Sequence, residues 1–355
     1  MPSPSDAPPE KPPSRVLVAA VVLFYIVAAL AMVMANKKVL NVTEAPLFFL
    51  EIQLIIAVIL FGITDVLRLF PDRLTFDLKI CKGVLPLVAL NVVGLSFSNY
   101  TLKYVDASFY QVARGLVLPF TVAASFVILH SRPSVLILVS CAIVTAGFFC
   151  GVLLDGTPLS LVGIAFGVAS SSITALASVV IKQSLLVVDG STILLSWYAN
   201  LLSAIVLAPI VLLAGEGPSV LALLSGTPSG EAAAAAVAAG APSELKTFLW
   251  GSLVTGGIGF LMSIAGLLSI KVTSPITHMI SSAVRGVAQS FLGLWYFHDV
   301  ISSGRAASIA IVLGGSIYYT WVKHKETEAA SSYERVAMDE LESGKLEGPD
   351  SPEES

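Results

Sequence analysis

The sequence predicts an all-α membrane protein of about ten transmembrane helices, built as two five-helix inverted repeats with both termini cytosolic. Three observations lead to that class. Of the 355 residues, 55% are hydrophobic and 12% charged, with a mean hydropathy of +0.86, whereas soluble domains are about 25% charged. The apolar residues fall in windows of about 20, the length of a bilayer-crossing helix. The strand alternation of an outer-membrane barrel is absent, and closed helices then satisfy the backbone in lipid.

Residues 1–14 are proline-rich and read as a disordered cytosolic segment. The first span, Val16–Ala35, is too long for a cleaved leader and lacks a small-residue cleavage site, so it serves as the insertion signal itself. Pro46–Leu69 and Gly83–Leu102 follow, and the joint between them carries Arg68, Arg73, Lys79 and Lys82. Those cations, with the other basic joints on the same side, place the termini in the cytosol against the contrary pair Lys37 and Lys38. Ala107–Leu129 holds Arg114, and Val135–Leu154 completes a first repeat over residues 15–155. Cys81, Cys141 and Cys150 have no metal-ligand spacing and read as small core residues.

The second repeat covers residues 156–325, with spans Leu159–Leu185, Thr192–Ala214, Phe248–Ile270, Pro275–Phe297 and Ala306–Val322. Gly163, Gly167 and Ser171 lie four apart in its first span, and Gly251, Gly256, Gly257, Gly259, Ser263 and Gly266 crowd its third, a pattern of close helix packing that is compatible with a homodimer. Residues 215–246 form a low-complexity loop on the lumenal side, and 326–355 an acidic tail that reads as disordered and cytosolic. The landmarks His130-Ser131-Arg132 and His298-Asp299-Val300 repeat weakly between the halves. Five spans per half, an odd number, give the two copies opposite orientations.

Arg114 and Arg285, each followed by glycine, occupy comparable places in the two repeats. An arginine in mid-span costs roughly 2.5–3.5 kcal/mol on insertion scales and persists where it faces a polar cavity or a partner. Asn91, Asn99, Ser170, Thr174, Trp197, Tyr198, Asn200, Ser203, Ser281, Ser282 and Gln289 join them inside the spans. A guanidinium fork suits phosphate or carboxylate, Trp197 and Tyr198 offer flat faces, and Asn200 offers an amide for a base edge. The chemistry points to a carrier for an organic anion: a nucleotide, a sugar phosphate or an organic acid. A membrane-embedded transferase fits less well, because Asp106, Asp155, Asp189 and Asp299 all fall at span ends and the four histidines are scattered. No cofactor, metal or nucleic-acid partner is expected.

Several longer stretches then carry a resemblance. They are Leu102-Lys103-Tyr104-Val105 leading to Phe109-Tyr110-Gln111-Val112-Ala113-Arg114, Val188-Asp189-Gly190-Ser191, Ile270-Lys271-Val272-Thr273-Ser274-Pro275-Ile276-Thr277-His278, and Gly315-Ser316 through Tyr319-Thr320-Trp321-Val322. Over nearly the whole membrane region the chain resembles the nucleotide-sugar transporters of the drug/metabolite transporter superfamily, and within them the Golgi GDP-fucose group. The resemblance implies import of GDP-fucose into the Golgi lumen in exchange for GMP by alternating access, with the endoplasmic reticulum as the other compartment and GDP-mannose, a UDP-sugar or a sugar phosphate as other cargoes. Trp197-Tyr198-Ala199-Asn200 is similar to a Phe-Tyr-Asn-Asn segment that recognises guanine, with Ala199 in place of an asparagine. Ser281-Ser282-Ala283-Val284-Arg285 falls where the family has a glycine-rich segment ending in lysine, near the sugar and phosphates. The expected substrate-binding set is Arg114, Arg285, Trp197, Tyr198, Asn200, Tyr110, Gln111, Ser281, Ser282, Thr277, Lys271 and Ser263.

Overall fold

The computed structural model describes residues 15–71, 73–156, 160–227, 237–238, 240, 242–272 and 275–346, with the side chains of 15–19, 21, 182, 264–283, 330–331 and 333–346 outside that description. The described residues form twelve helices and no strand. They are α1 Arg15–Leu40, α2 Pro46–Val66, α3 Leu78–Tyr104, α4 Ala107–Gly115, α5 Val117–Leu129, α6 Val135–Leu153, α7 Leu161–Val187, α8 Thr192–Leu213, α9 Gly217–Ser225, α10 Glu244–Val272, α11 Pro275–Phe297 and α12 Ser303–Leu346. Among the described residues, eight helical segments are long and apolar enough to cross a membrane, with α4 and α5 counted as one. Large apolar side chains on them are exposed, such as Leu153 at 75%, Leu161 at 80% and Leu213 at 86%. Such a surface is stable only in a hydrocarbon solvent, and the chain is a multi-pass membrane protein.

The helix starts are set by short polar side chains. Asp77 accepts from the Lys79 amide (2.8 Å), Ser134 from Ile137 (3.3 Å), Ser160 from Gly163 (3.2 Å) and Ser191 from Leu194 (3.4 Å); each satisfies a first-turn donor that has no partner inside its helix. Two helices end alike: His130 after α5 and His298 after α11 both take the left-handed backbone, at φ 52° and 57°. Pairing is regular. α3 packs on α7 and α1 on α10; α2 touches α8 and α10, and α3 touches α8; α6 lies along α12 and α4 across α11. The glycines make these approaches close: a β-carbon on Gly163 would lie 2.6 Å from Val105 Cγ1, and one on Gly167 2.9 Å from Ala113 Cβ.

Three features depart from the expectations. The span Ala107–Leu129 is two helices, broken at Leu116. Pro119 supplies no amide for the carbonyl of Gly115, and its ring crowds that carbonyl. Helix α1 continues five residues past Ala35, because the Lys37 ammonium is held by the Leu102 and Val105 carbonyls at 2.8 and 2.7 Å. The acidic tail, expected to be disordered from residue 326, extends α12 to Leu346. Its alanine, glutamate and lysine content favours helix, and His324 lies 3.1 Å from Glu328 one turn on.

Candidate anion-binding chamber

The break in the fourth span builds the site. Arg114 occupies the last turn of α4, and the first-turn amides of α5 begin directly beyond it. Leu116 keeps right-handed helical dihedrals (φ −64°, ψ −14°), its amide donates to the Ala113 carbonyl at 3.2 Å and the Phe120 amide donates to the Leu116 carbonyl at 3.2 Å, so the interruption is one tightened turn beside Arg114. Gly115 lets the break lie against α12, since a β-carbon there would sit 2.4 Å from Val312 Cγ1. The Arg114 guanidinium lies 5.7 Å from the centre of the Tyr110 ring, with Nη1 3.5 Å from the Tyr110 hydroxyl. That hydroxyl shares a 2.5 Å hydrogen bond with Ser98 Oγ. Arg114 remains accessible although protein surrounds it; the space it faces is internal.

Arg285, on α11, faces the same chamber of about 300 Å³, with Gln111, the α5 residues Val117 and Leu118, and Ser316 and Tyr319 of α12. Its guanidinium lies 5.9 Å from the Tyr25 ring centre, and its Nε is buried without a hydrogen-bond acceptor. The two arginines are near enough for their charges to disfavour each other. Two cations and an unsatisfied donor in one chamber suit an oxyanion.

Two further spaces are lined by Arg114, and a third adjoins them through Asn91, Asn200 and Ser263. One of about 290 Å³ holds Asn36, Gln53, Asn99, Thr255, Asn200 and Ser263 together with Tyr110 and Arg114. One of about 500 Å³ shares Asn200 and Ser263 and adds Asn91, Ser196 and Ala199. The smallest, about 200 Å³, adds Ser170, Ser171 and Thr174 on α7. Together they reach from the arginines to an amide-rich wall large enough for a sugar nucleotide. On that wall Gln53 Nε2 donates to Asn36 Oδ1 at 2.9 Å, and Asn200 Nδ2 donates to the Ser196 carbonyl at 2.8 Å.

Of the twelve sequence candidates, the structure gathers Arg114, Arg285, Tyr110, Gln111, Asn200 and Ser263 around these connected spaces. Trp197 and Tyr198 stand on other faces of α8. Tyr198 is fully buried, stacks 6.5 Å from Phe76 and accepts a 2.7 Å hydrogen bond from the Asp77 amide. Trp197 packs 6.3 Å from Phe61. Helical period explains the split, since 196, 199, 200 and 203 share one face and 197 and 198 do not. Lys271, Thr277, Ser281 and Ser282 lie outside the described side chains. Asn36, Gln53 and Ser98 were missed: each is a lone polar residue in an apolar span, and only the fold brings them to one wall.

The profile of the Triose-phosphate Transporter family matches residues 15–320. The chain is 31% identical over 324 residues to GDP-fucose transporter 1 of Mus musculus, covering 88% of this chain and 84% of that protein. It is 32% identical over 314 residues to GDP-fucose transporter 1 of Dictyostelium discoideum, covering 85% and 80%. To the protein named GDP-fucose transporter, Golgi, of Drosophila melanogaster it is 32% identical over 322 residues, covering 86% and 90%. The chain belongs to the Triose-phosphate Transporter family. That membership agrees with the reading of a carrier rather than an enzyme.

Proposed function

We propose that this member of the Triose-phosphate Transporter family is a Golgi antiporter that brings GDP-fucose into the lumen in exchange for GMP. The observation that carries the proposal is the shared chamber of Arg114 and Arg285, in a chain 31–32% identical to GDP-fucose transporters. The arginines compensate the phosphates, and the amide wall of Asn200, Asn36 and Gln53 receives the base or sugar. Exchange follows from electrostatics. Two uncompensated guanidinium groups are costly to enclose empty, so the chamber closes with an anion in it.

The cycle rests on ten spans in two inverted repeats, residues 15–155 and 156–325, with cytosolic termini. The helix pairing supports that reading, because exchanging the repeats maps α3 on α7 onto α10 on α1, and maps α6 on α12 and α2 on α8 onto themselves. The left-handed caps at His130 and His298 recur at equivalent ends. Ala199, Arg285 and the Ser281-Ser282 segment mark where cargo selection departs from the family pattern.

The test is uptake of labelled GDP-fucose, beside GDP-mannose and UDP-sugars, into proteoliposomes preloaded with GMP or left empty. GMP-dependent uptake of GDP-fucose is the expected result. Uptake of a different sugar nucleotide reassigns the cargo, and undiminished uptake into empty vesicles rejects exchange.

A further inference from the structure

At the end of the bundle opposite the termini, five charged side chains and a set of helix ends are tied together. Arg305, at the start of α12, is fully buried; its Nε donates to Asp155 Oδ2 at 2.7 Å, and its Nη1 to Asp106 Oδ2 at 2.7 Å and to Ser108 Oγ at 3.0 Å. Ser302 Oγ holds the other Asp155 oxygen at 2.8 Å. Asp299 Oδ2 accepts the Ser108 amide at 3.2 Å, and Gln289 Nε2 donates to the Ala107 carbonyl at 2.8 Å. Lys37 closes the adjoining corner onto Leu102 and Val105. Nearby, the Glu216 carboxylate caps α2 by accepting the Leu47 and Phe48 amides at 3.0 and 2.8 Å.

We infer that this network is the closed gate of the transport cycle, and that Arg305, Asp106, Asp155 and Asp299 are its moving parts. The inference rests on the alternating-access reading and deepens it. Three observations point to a gate rather than to a static brace. The network abuts the substrate space: Lys37 follows Asn36, and Leu102, whose carbonyl it holds, lines the same 290 Å³ chamber. Its bonds cross between the two halves, joining residues 289–305 and 216 to residues 47–48, 100, 106–108 and 155. At the termini end, by contrast, the polar ties described are mostly local, such as Arg73 to Asp65 at 3.8 Å and His324 to Glu328, beside the longer-range bond from the Asp77 amide to Tyr198.

The chemistry suits a reversible seal. Ion pairs and hydrogen bonds hold strongly while buried, and water replaces them when the ends part. An apolar seal of the same size would expose hydrocarbon on opening. The asymmetry assigns this conformation: the chamber is shut at the end opposite the termini and faces the termini side, through Thr192, Gly190 and Leu185 in one space and Thr121 and Tyr319 in another.

Two measurements test the gate. Ser108→Cys with Asp299→Cys, bridged by a short bifunctional thiol-reactive reagent such as a bis-maleimide, should lower nucleotide exchange at least tenfold while GMP still binds from the termini side; each single variant should exchange at the same rate after treatment as before it. Bridged protein that exchanges at the unbridged rate overturns the inference. Asp106→Asn, which alters the half-exposed carboxylate and spares the Arg305 to Asp155 pair, should raise the reactivity of Ser98→Cys toward a membrane-impermeant thiol reagent added at the far end, above the background of the parent cysteines. Unchanged reactivity overturns it as well. That second readout needs no substrate, so a protein that carries no sugar nucleotide defeats the cargo assignment and leaves the gate tested.

Discussion

Arg114 and Arg285 are the residues proposed to hold the anion, and their settings differ. Arg114 has Tyr110 beneath it, whereas Arg285 Nε has no acceptor. A hydrogen bond to a charged group is worth roughly 1.5–3 kcal/mol, so Arg114→Gln should reduce exchange about tenfold to a hundredfold, read as kcat/KM in proteoliposomes. Arg285→Lys should keep a measurable part of the activity with a raised KM, since an ammonium supplies the charge without the fork. Asn200→Ala should raise KM, whereas Tyr198→Phe should lower thermal stability and leave KM unchanged, because that hydroxyl is engaged by Asp77 and not by the chamber.

Asp299 adds a pH dependence. Burial first, and Asp106 second, hold its carboxyl above the ordinary carboxylate range, against the Ser108 amide, Lys37 and Arg305. An acid whose folded pKa is raised binds its proton more tightly in the packed arrangement than in water. Its contribution is therefore complete below the ordinary value and is lost as pH rises through the raised one. Thermal unfolding in detergent should show wild-type stability gaining, relative to Asp299→Asn, as pH falls from neutral toward the ordinary carboxylate range. A parallel pH profile for the two proteins would contradict this.

At the scale of the element, the broken fourth span matters most. Pro119→Ala restores the amide that can bond the Gly115 carbonyl and removes the crowding ring. The span should become more regular, with melting temperature preserved or raised and exchange lowered, as the turn beside Arg114 is reset. On α7, Gly163→Leu forces a side chain into Val105 and Tyr104 of α3; overpacking of this kind costs about 1–3 kcal/mol and should appear as a lower melting temperature. The spans were legible as elements because lipid permits few alternatives to a long apolar helix. The break at Leu116 was not read, although Pro119 stood in the sequence, since a proline in a membrane helix is compatible with either a bend or a break. The helical tail was misread for a related reason: acidic composition resembles disorder until its helix-forming residues are weighed.

For the whole molecule, a ligand that binds the folded state at 100 times its Kd stabilises it by about 2.7 kcal/mol. GMP should therefore raise the melting temperature of the purified carrier, and guanosine, without phosphate, should raise it far less if the arginines dominate binding. CMP matching GMP would relocate selectivity away from the amide wall. By itself the sequence determined the all-helical membrane class and singled out the two arginines, because apolar length and an intramembrane charge are local properties that the bilayer makes decisive; the transporter family came from the resemblance of longer stretches such as Phe109 to Arg114. Only the tertiary structure decided which faces share the chamber: it sets Trp197 and Tyr198 on other faces of α8 and brings Asn36 and Gln53 to the wall of Asn200. It alone also brought Arg305 to Asp155 and Asp106, partners 150 and 199 residues away in the chain. Those aspartates read as unremarkable span ends, since the meeting of side chains from distant helices is fixed by packing and leaves no periodic trace in sequence.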